Sequence, residues 1–542
     1  LDLMLRRLKT VAEDQAYLGV VVYLDQPELT LPQIDALARA FAQVRQAGKR
    51  VLTFAESYDL SSYLLASQAD LILLQHKGSV ELRGLAMEEV YLAGLLEKIG
   101  AKADLMQVGQ FKGADEALTR TGPSEAWDSN INALLDDLYA QVVDRIAKGR
   151  GLTTQQVEDI IRDSWTMSDT DYLRRHVVDR LTDRDLVDVT EVEFGESFVW
   201  DDTMGQAEAS GQEVDSPLAL LRLLFQEPDV IRTRRDTLAV IHARGPVISG
   251  DSEWGGGLFG GEAIGSRTIA ELLGEAREDD HIKGVILRID SPGGSALASE
   301  MIWQAVRDLA EQKPVYASID GLAASGGYYV ASAADRIYAA PQSVVGSIGV
   351  VGGKIVLGSL YEKVGVHVHR RSRGPMADMF NSVEPFTPGQ REALQAGMQR
   401  VYDQFLDRVA AGRGRRLTDL DAVAQGRIFT GRQAVDNGLA DELGGLDEAV
   451  ADLARRLGLE EGGYDVLHLP PPMSLGEFIN SIFGVRSPVS SAALFKAQGL
   501  DALASEALGP QGWSATSQVL GGLMLLRREP VLTLMPYALI VR

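Results

Sequence analysis

The chain has 542 residues, a formal net charge of −23 and no cysteine. Its length calls for two or three domains, and its acidic balance argues against nucleic acid and against charge-driven docking on anionic lipid. The lack of cysteine excludes a thiol nucleophile, a thiolate metal site and any disulfide.

In chain order, Gly19 to Asp25 (GVVVYLD) reads as a strand. Ala103 to Val108 is a second strand-like run, opening into the loop Gly109-Gln110-Phe111-Lys112-Gly113. A lone lysine among small residues is either a solvated surface group or a buried amine that can act as a base. The segment 191–236 is charged, Gly/Ser-containing and weakly periodic, and reads as a linker or long surface loop. Leu238 to Ile248 is the next predicted strand, followed by Val315 to Ile319 and Arg336 to Ala339. Ala296 to Glu311 and Pro388 to Ala411 carry apolar residues at helical spacing. Short β-branched runs alternating with helical patterns define an α/β class.

Val364 to His369 is strand-like and places His367 and His369 on one face, without a third ligand for a metal. From Leu467 onward the chain is Pro-rich, then apolar in pieces. No run reaches the roughly 18–20 apolar residues that span a bilayer. The best, Val519 to Leu526, is broken by Arg527, Arg528, Glu529 and Pro530. The sequence opens on Leu1 rather than Met and reads as a fragment or processed form, with room for a lost N-terminal anchor or signal.

The chain contains itself twice. Gly19 to Asp25 matches Gly284 to Asp290 at an offset of 265, and Tyr63 to Asp70 matches Tyr328 to Asp335 at the same offset. Leu138 to Gly151 matches Val401 to Gly414 at 263. The expected organisation is an N-terminal repeat over 1–190 with its first strand missing, a linker over 191–236, a C-terminal repeat over 237–455 and an extension over 456–542.

The copies differ where chemistry would sit. The C-terminal copy has Asp290-Ser291-Pro292-Gly293-Gly294-Ser295 and Ala324-Ser325-Gly326-Gly327, and the N-terminal copy lacks the glycines of both. Two glycine turns can aim backbone N–H groups at one developing oxyanion. Ser325, between a predicted strand and a helical pattern, is then either the nucleophile or a helix cap. No histidine follows it within 40 residues. Lys112 is the other possible base, and it must be neutral near pH 7, far below the reference value of about 10.4. Burial lowers a lysine in that sense, and a domain interface is a natural place for it.

Ser291 to Ser295, Ala323 to Tyr328, Val345 to Val350 and Gly109 to Lys112 together resemble the signal peptide peptidase A type, the long, duplicated form of the S49 serine peptidases. The resemblance runs from about residue 5 to the end of the chain. It implies two tandem ClpP/crotonase-like repeats, with helices packed on mixed β-sheets, and a Ser/Lys dyad split between the copies. Carried over by position, Ser325 would be the nucleophile, Lys112 the general base, and Ser347 the group that orients the lysine amine. Gly294 and Gly326 would offer the oxyanion N–H groups. The resemblance further implies signal peptides and other peptides as substrates, a homotetramer, anchoring in the bacterial inner membrane facing the periplasm, and neither cofactor nor metal. Leu297, Ala298 and Leu322 are pocket candidates by proximity. An acyl-CoA enzyme of the crotonase type, with Asp290 or Asp320 as its acid, and a non-catalytic scaffold of the same fold are the alternatives.

Overall fold

The structure, a computed structural model, describes residues 1–470 and 531–534, apart from 25–26, 28, 83, 86, 88, 183–185, 196–197, 202–234, 253–261, 369–375, 377 and 418. It forms two compact units, one holding Leu1–Met87 and Leu135–Asp215, the other Glu88–Leu134 and Ser216–Ile540. Residues 88–134, which carry Lys112, therefore cluster with the C-terminal sequence rather than with the rest of 1–190.

The strands in chain order are β1 Gly19–Tyr23, β2 Arg50–Ala55, β3 Tyr58–Asp59, β4 Leu71–Gln75, β5 Val80–Glu81, β6 Lys102–Val108, β7 Arg180–Thr182, β8 Thr237–Arg244, β9 Val247–Ile248 and β10 Ile264–Gly265. They continue with β11 Ile282–Ser291, β12 Gly293–Ser295, β13 Val315–Ala324, β14 Arg336–Ala339, β15 Val344–Gly346, β16 Val350–Val356, β17 Ile428–Thr430, β18 Glu442–Leu443, β19 Asp465–Leu469 and β20 Val531–Leu534.

In the first unit, β1, β2, β4 and β7 form a parallel sheet in that order. The helix Leu31–Gln46 packs Ile34, Leu37, Phe41 and Val44 into its core. Thr30 and Gln33 cap its first turn reciprocally, and Pro32 stands where a missing N–H costs nothing.

In the second unit, the largest sheet runs β17-β15-β13-β11-β8-β19, with β14 paired to β13 and β18 to β14. Val285, Ile286, Leu287 and Ile289 of β11 are all buried, the near-continuous apolar run of a parallel strand covered on both faces. A second sheet runs β10-β9-β12-β20-β16-β6. There β16 pairs antiparallel with β6 from Val350↔Val108 to Val356↔Lys102, which lays the loop after Val108 beside the chain before Val350.

Matched positions of the two copies build matched interactions. The two 26-residue helices Glu125–Arg150 and Pro388–Arg413 occupy corresponding places in the sequence. Tyr63 donates to the carbonyl of Val177 (2.8 Å), as Tyr328 does to that of Leu439 (2.9 Å). Arg150 pairs with Asp179 at 2.7 Å and Arg413 with Asp441 at 2.8 Å. A methyl group on Gly149 would meet the Ser67 carbonyl at 2.1 Å, and one on Gly412 the Ser332 carbonyl at 1.7 Å. A parallel sheet in the first unit and sheets of mixed direction in the second, each with packed helices, agree with the α/β fold class that the sequence predicts.

Other expectations shift. β13 runs five residues beyond Ile319, up to the serine itself. Asp465–Leu469, placed by sequence in the C-terminal extension, joins the main sheet as a parallel partner of β8. Residues 191–194 of the expected linker end the helix Val187–Phe194, and 202–234 lie outside the described residues. Val364 to Val368 form a turn and irregular chain rather than a strand, because Gly365 takes φ +74°; His369 lies outside the described residues. Among the described residues, no helix is long and apolar enough to cross a membrane.

Candidate active site

Ser325 stands between the end of β13 and the helix Gly326–Ala331. Its backbone lies at φ 55°, ψ −117°, which a residue with a Cβ adopts only when its surroundings impose it. The surroundings here are hydrogen bonds: Ser325 N donates to the Gly346 carbonyl and Tyr329 N to the Ser325 carbonyl, both at 2.8 Å. Ser325 precedes the first helical residue, yet its hydroxyl makes no capping bond. It lies 2.7 Å from Lys112 Nζ instead. Of the two readings open in the sequence, helix capping is therefore not what the side chain does.

Lys112 comes from the loop after β6. Its amine also touches the Ser347 carbonyl at 2.9 Å and the Ser347 hydroxyl at 3.1 Å. The side chain is buried, not a solvated surface group. Burial holds the amine well below the usual lysine range. Ser347, at φ 53°, is held by its own N–H donating to the Arg427 carbonyl at 2.6 Å.

The turn 424–427 backs the lysine, and nothing in the sequence pointed to it. Gly426 has φ +82°, and a methyl group there would stand 2.4 Å from Lys112 Cα and 2.5 Å from Lys112 N. Phe111 N donates to the Gln425 carbonyl at 2.8 Å, and the Arg427 guanidinium lies 4.2 Å over the Phe111 ring. A Cβ on Gly349 would meet Lys112 Cδ at 3.0 Å. The lysine is thus packed on two glycines from distant parts of the sequence, whose spacing alone carries no signal.

The glycine turns meet at the serine. Gly293 adopts φ +95°, and a methyl group on it would lie 2.6 Å from Gly326 N and 2.9 Å from Ser325 Cβ. A methyl group on Gly326 would lie 2.5 Å from Ser299 Oγ and 3.1 Å from Gly294 N. The backbone nitrogens of Gly294 and Gly326 thus lie close together beside Ser325, and a side chain on Gly293 or Gly326 would collide with the facing turn. Ser325, Lys112, Ser347, Gly294 and Gly326 all come together, and all belong to the second compact unit.

The remaining candidates go elsewhere. Leu297 is exposed and Ala298 lies in the main core. The apolar cluster that shares segments with the site is instead Ala114, Ile248, Ala263 and Val351, with Leu532 of β20. Asp320 pairs with Arg288 at 3.2 Å. Burial, and then the charge of Asp320, push the Asp290 carboxyl up to about 6. His242 and His468 contact each other at 2.9 Å.

In this α/β fold a serine hydroxyl and a lysine amine are buried in contact, an arrangement that can supply a nucleophile and its base. The model of peptidase family S49 matches residues 43–192 and 307–460. Lys112 falls in the first region, and Ser325 and Ser347 in the second. The chain is 31% identical over 453 residues to Protease 4 of Haemophilus influenzae, covering 82% of this chain and 71% of that one. It is 30% identical to Protease 4 of Salmonella typhi, covering 84% and 72%, and 30% identical to the chloroplastic serine protease SPPA of Arabidopsis thaliana, covering 81% and 63%. The chain belongs to peptidase family S49.

Proposed function

We propose that this chain is a serine endopeptidase with a Ser325/Lys112 dyad that degrades cleaved signal peptides and other peptides at or near a membrane. One observation carries the reading: Lys112 Nζ lies 2.7 Å from Ser325 Oγ, in surroundings whose burial favours the neutral amine. Family membership favours it over the acyl-CoA alternative. The signal-peptide substrate, the homotetramer and a bacterial inner-membrane, periplasm-facing location come from the motif resemblance.

The neutral amine of Lys112 takes the Ser325 hydroxyl proton as Oγ attacks the peptide carbonyl carbon. Ser347, through its hydroxyl and carbonyl, keeps the amine lone pair aimed at Oγ. The Gly294 and Gly326 N–H groups stabilise the oxyanion as it forms. Lys112, now charged, gives its proton to the departing amine; the C–N bond breaks and an ester to Ser325 remains. Water then attacks the ester, Lys112 takes up a water proton, and Ser325 leaves with a proton from Lys112.

The test is a pH–rate profile of wild type beside Ser325→Ala and Lys112→Met, using a peptide ester. The expected result is an ascending limb below the ordinary lysine range in wild type, with kcat/KM lower by about 10⁴-fold or more in both variants. Normal turnover in Lys112→Met would end the dyad reading. Incubation with membranes that hold a labelled, already cleaved signal peptide tests the substrate: its persistence would restrict the enzyme to other peptides.

A further inference from the structure

Between β12, which holds Gly294, and β16, which follows Ser347, lies a strand from far down the chain. Residues 531–534 form β20, antiparallel to both neighbours, with Gly294↔Thr533 and Ser295↔Leu532 on one side and Val351↔Leu532 on the other. Thr533 Oγ1 donates to the Gly294 carbonyl at 3.2 Å. A methyl group on Gly293 would lie 2.1 Å from the Thr533 carbonyl oxygen, and one on Gly326 would lie 2.9 Å from Thr533 Oγ1. The same methyl on Gly293 would lie 2.9 Å from Ser325 Cβ, so the Thr533 carbonyl and Ser325 border one small space.

The strand also fills a pocket. Leu532 is 1% exposed and packs among Ala114, Ile248, Ala263 and Val351. Ala114 lies two positions after Lys112 and Val351 four after Ser347, so the segments that build the site also build the pocket. An extended segment held by main-chain pairing, with one side chain in an apolar pocket, is how a strand-adding peptide binds. With this segment in place, Ser325 is 0% exposed and Lys112 1%. An incoming peptide would need the space that β20 fills.

We propose that residues 531–534 are an internal ligand of the peptide cleft, lying where a substrate strand would lie, with Leu532 in the side-chain pocket, and that a peptide carrying a mid-sized aliphatic side chain must displace them to be cut. The proposal rests on the Ser325/Lys112 reading for the position of the cleft. It makes the protease self-restrained, and it makes Ala114, Ile248, Ala263 and Val351 the residues that select the substrate.

Two measurements on the full chain test it. The first is hydrolysis of a small peptide ester by wild type, Leu532→Asp and Thr533→Pro, with circular dichroism to verify the fold. A several-fold rise in kcat/KM, mainly through a lower KM, is expected in both variants. Unchanged or reduced activity in folded variants overturns the proposal. The second needs neither turnover nor an altered strand. Amide hydrogen exchange of residues 531–534 is followed in Ser325→Ala while a synthetic peptide with the sequence of residues 529–536 is added in excess. Faster exchange as the peptide takes the strand's place supports displacement. Exchange that stays slow at saturating peptide makes β20 a fixed part of the sheet and overturns it. Should Ser325→Ala hydrolyse the ester like wild type, the dyad reading fails while the exchange result still reports on β20.

Discussion

Lys112 Nζ and Ser325 Oγ stand 2.7 Å apart although 213 positions separate them in the chain. Keeping that amine buried costs stability as well as enabling proton transfer. For a lysine whose folded value is depressed, stability is fully present above the unfolded value of about 10.4 and is lost as pH falls toward the folded value. Lys112→Met removes this dependence. Relative to that variant, wild type should gain stability as pH rises between the depressed value and about 10.4, with a slope approaching about 1.4 kcal/mol per pH unit. Urea melts of both proteins from pH 7 to 9 check it. Parallel curves would mean that folded Lys112 stays charged.

Ser347 offers the lysine two oxygens, its carbonyl at 2.9 Å and its hydroxyl at 3.1 Å. Ser347→Ala keeps the first and removes the second. The expected loss is in kcat, on the order of 10-fold to 100-fold, with KM little changed, because aim rather than substrate binding is affected. Initial rates over a range of peptide concentration separate the two. An unchanged kcat would show that the carbonyl alone holds the amine.

Gly426 is a backbone neighbour of the lysine, not a chemical one. At φ +82° it already suits only glycine, and a methyl group would press to 2.4 Å on Lys112 Cα, a backbone atom with no freedom to swing away. Gly426→Ala should cost roughly 1–3 kcal/mol of stability and a disproportionate share of activity, since the loop carrying Lys112 must move. Thermal melting gives the first and kcat/KM the second. Activity retained in proportion to folded protein would show that the loop adjusts without moving the amine.

How much of this was legible depends on what carries each signal. The repeat shows in sequence because Tyr63 and Tyr328, and Arg150 and Arg413, keep the same internal partners, so selection on packing leaves matching residues. Ser325 and the glycine turns show because a positive φ and a backbone-to-backbone approach leave few residue choices. Lys112 was legible as a lone lysine in a small-residue loop, as the other possible base where no histidine follows Ser325, and through the motif Gly109 to Lys112. Its place in the second compact unit follows from the pairing of β6 with β16, a long-range register that no local pattern encodes. Gly426 looks like any turn glycine, and Leu532 like part of a broken apolar run. Their roles exist only once distant segments are brought together.

Asp290, near the end of β11, shows how burial acts on a carboxyl group. Burial, then the negative charge of Asp320, push its carboxyl up to about 6, against the opposing influence of Arg244 and Arg288. A folded value above the unfolded one near 3.9 gives stability that is full below about 4 and lost as pH rises through about 6. The size of the effect is on the order of 3 kcal/mol. Asp290→Asn has the shape of the protonated acid and never charges. Its stability relative to wild type should therefore improve by roughly 2–3 kcal/mol between pH 4 and pH 8, most steeply below pH 6. Urea denaturation of both proteins at several pH values in that range measures the difference. A constant offset would mean that Asp290 is ionised throughout, with Arg244 and Arg288 outweighing both its burial and Asp320.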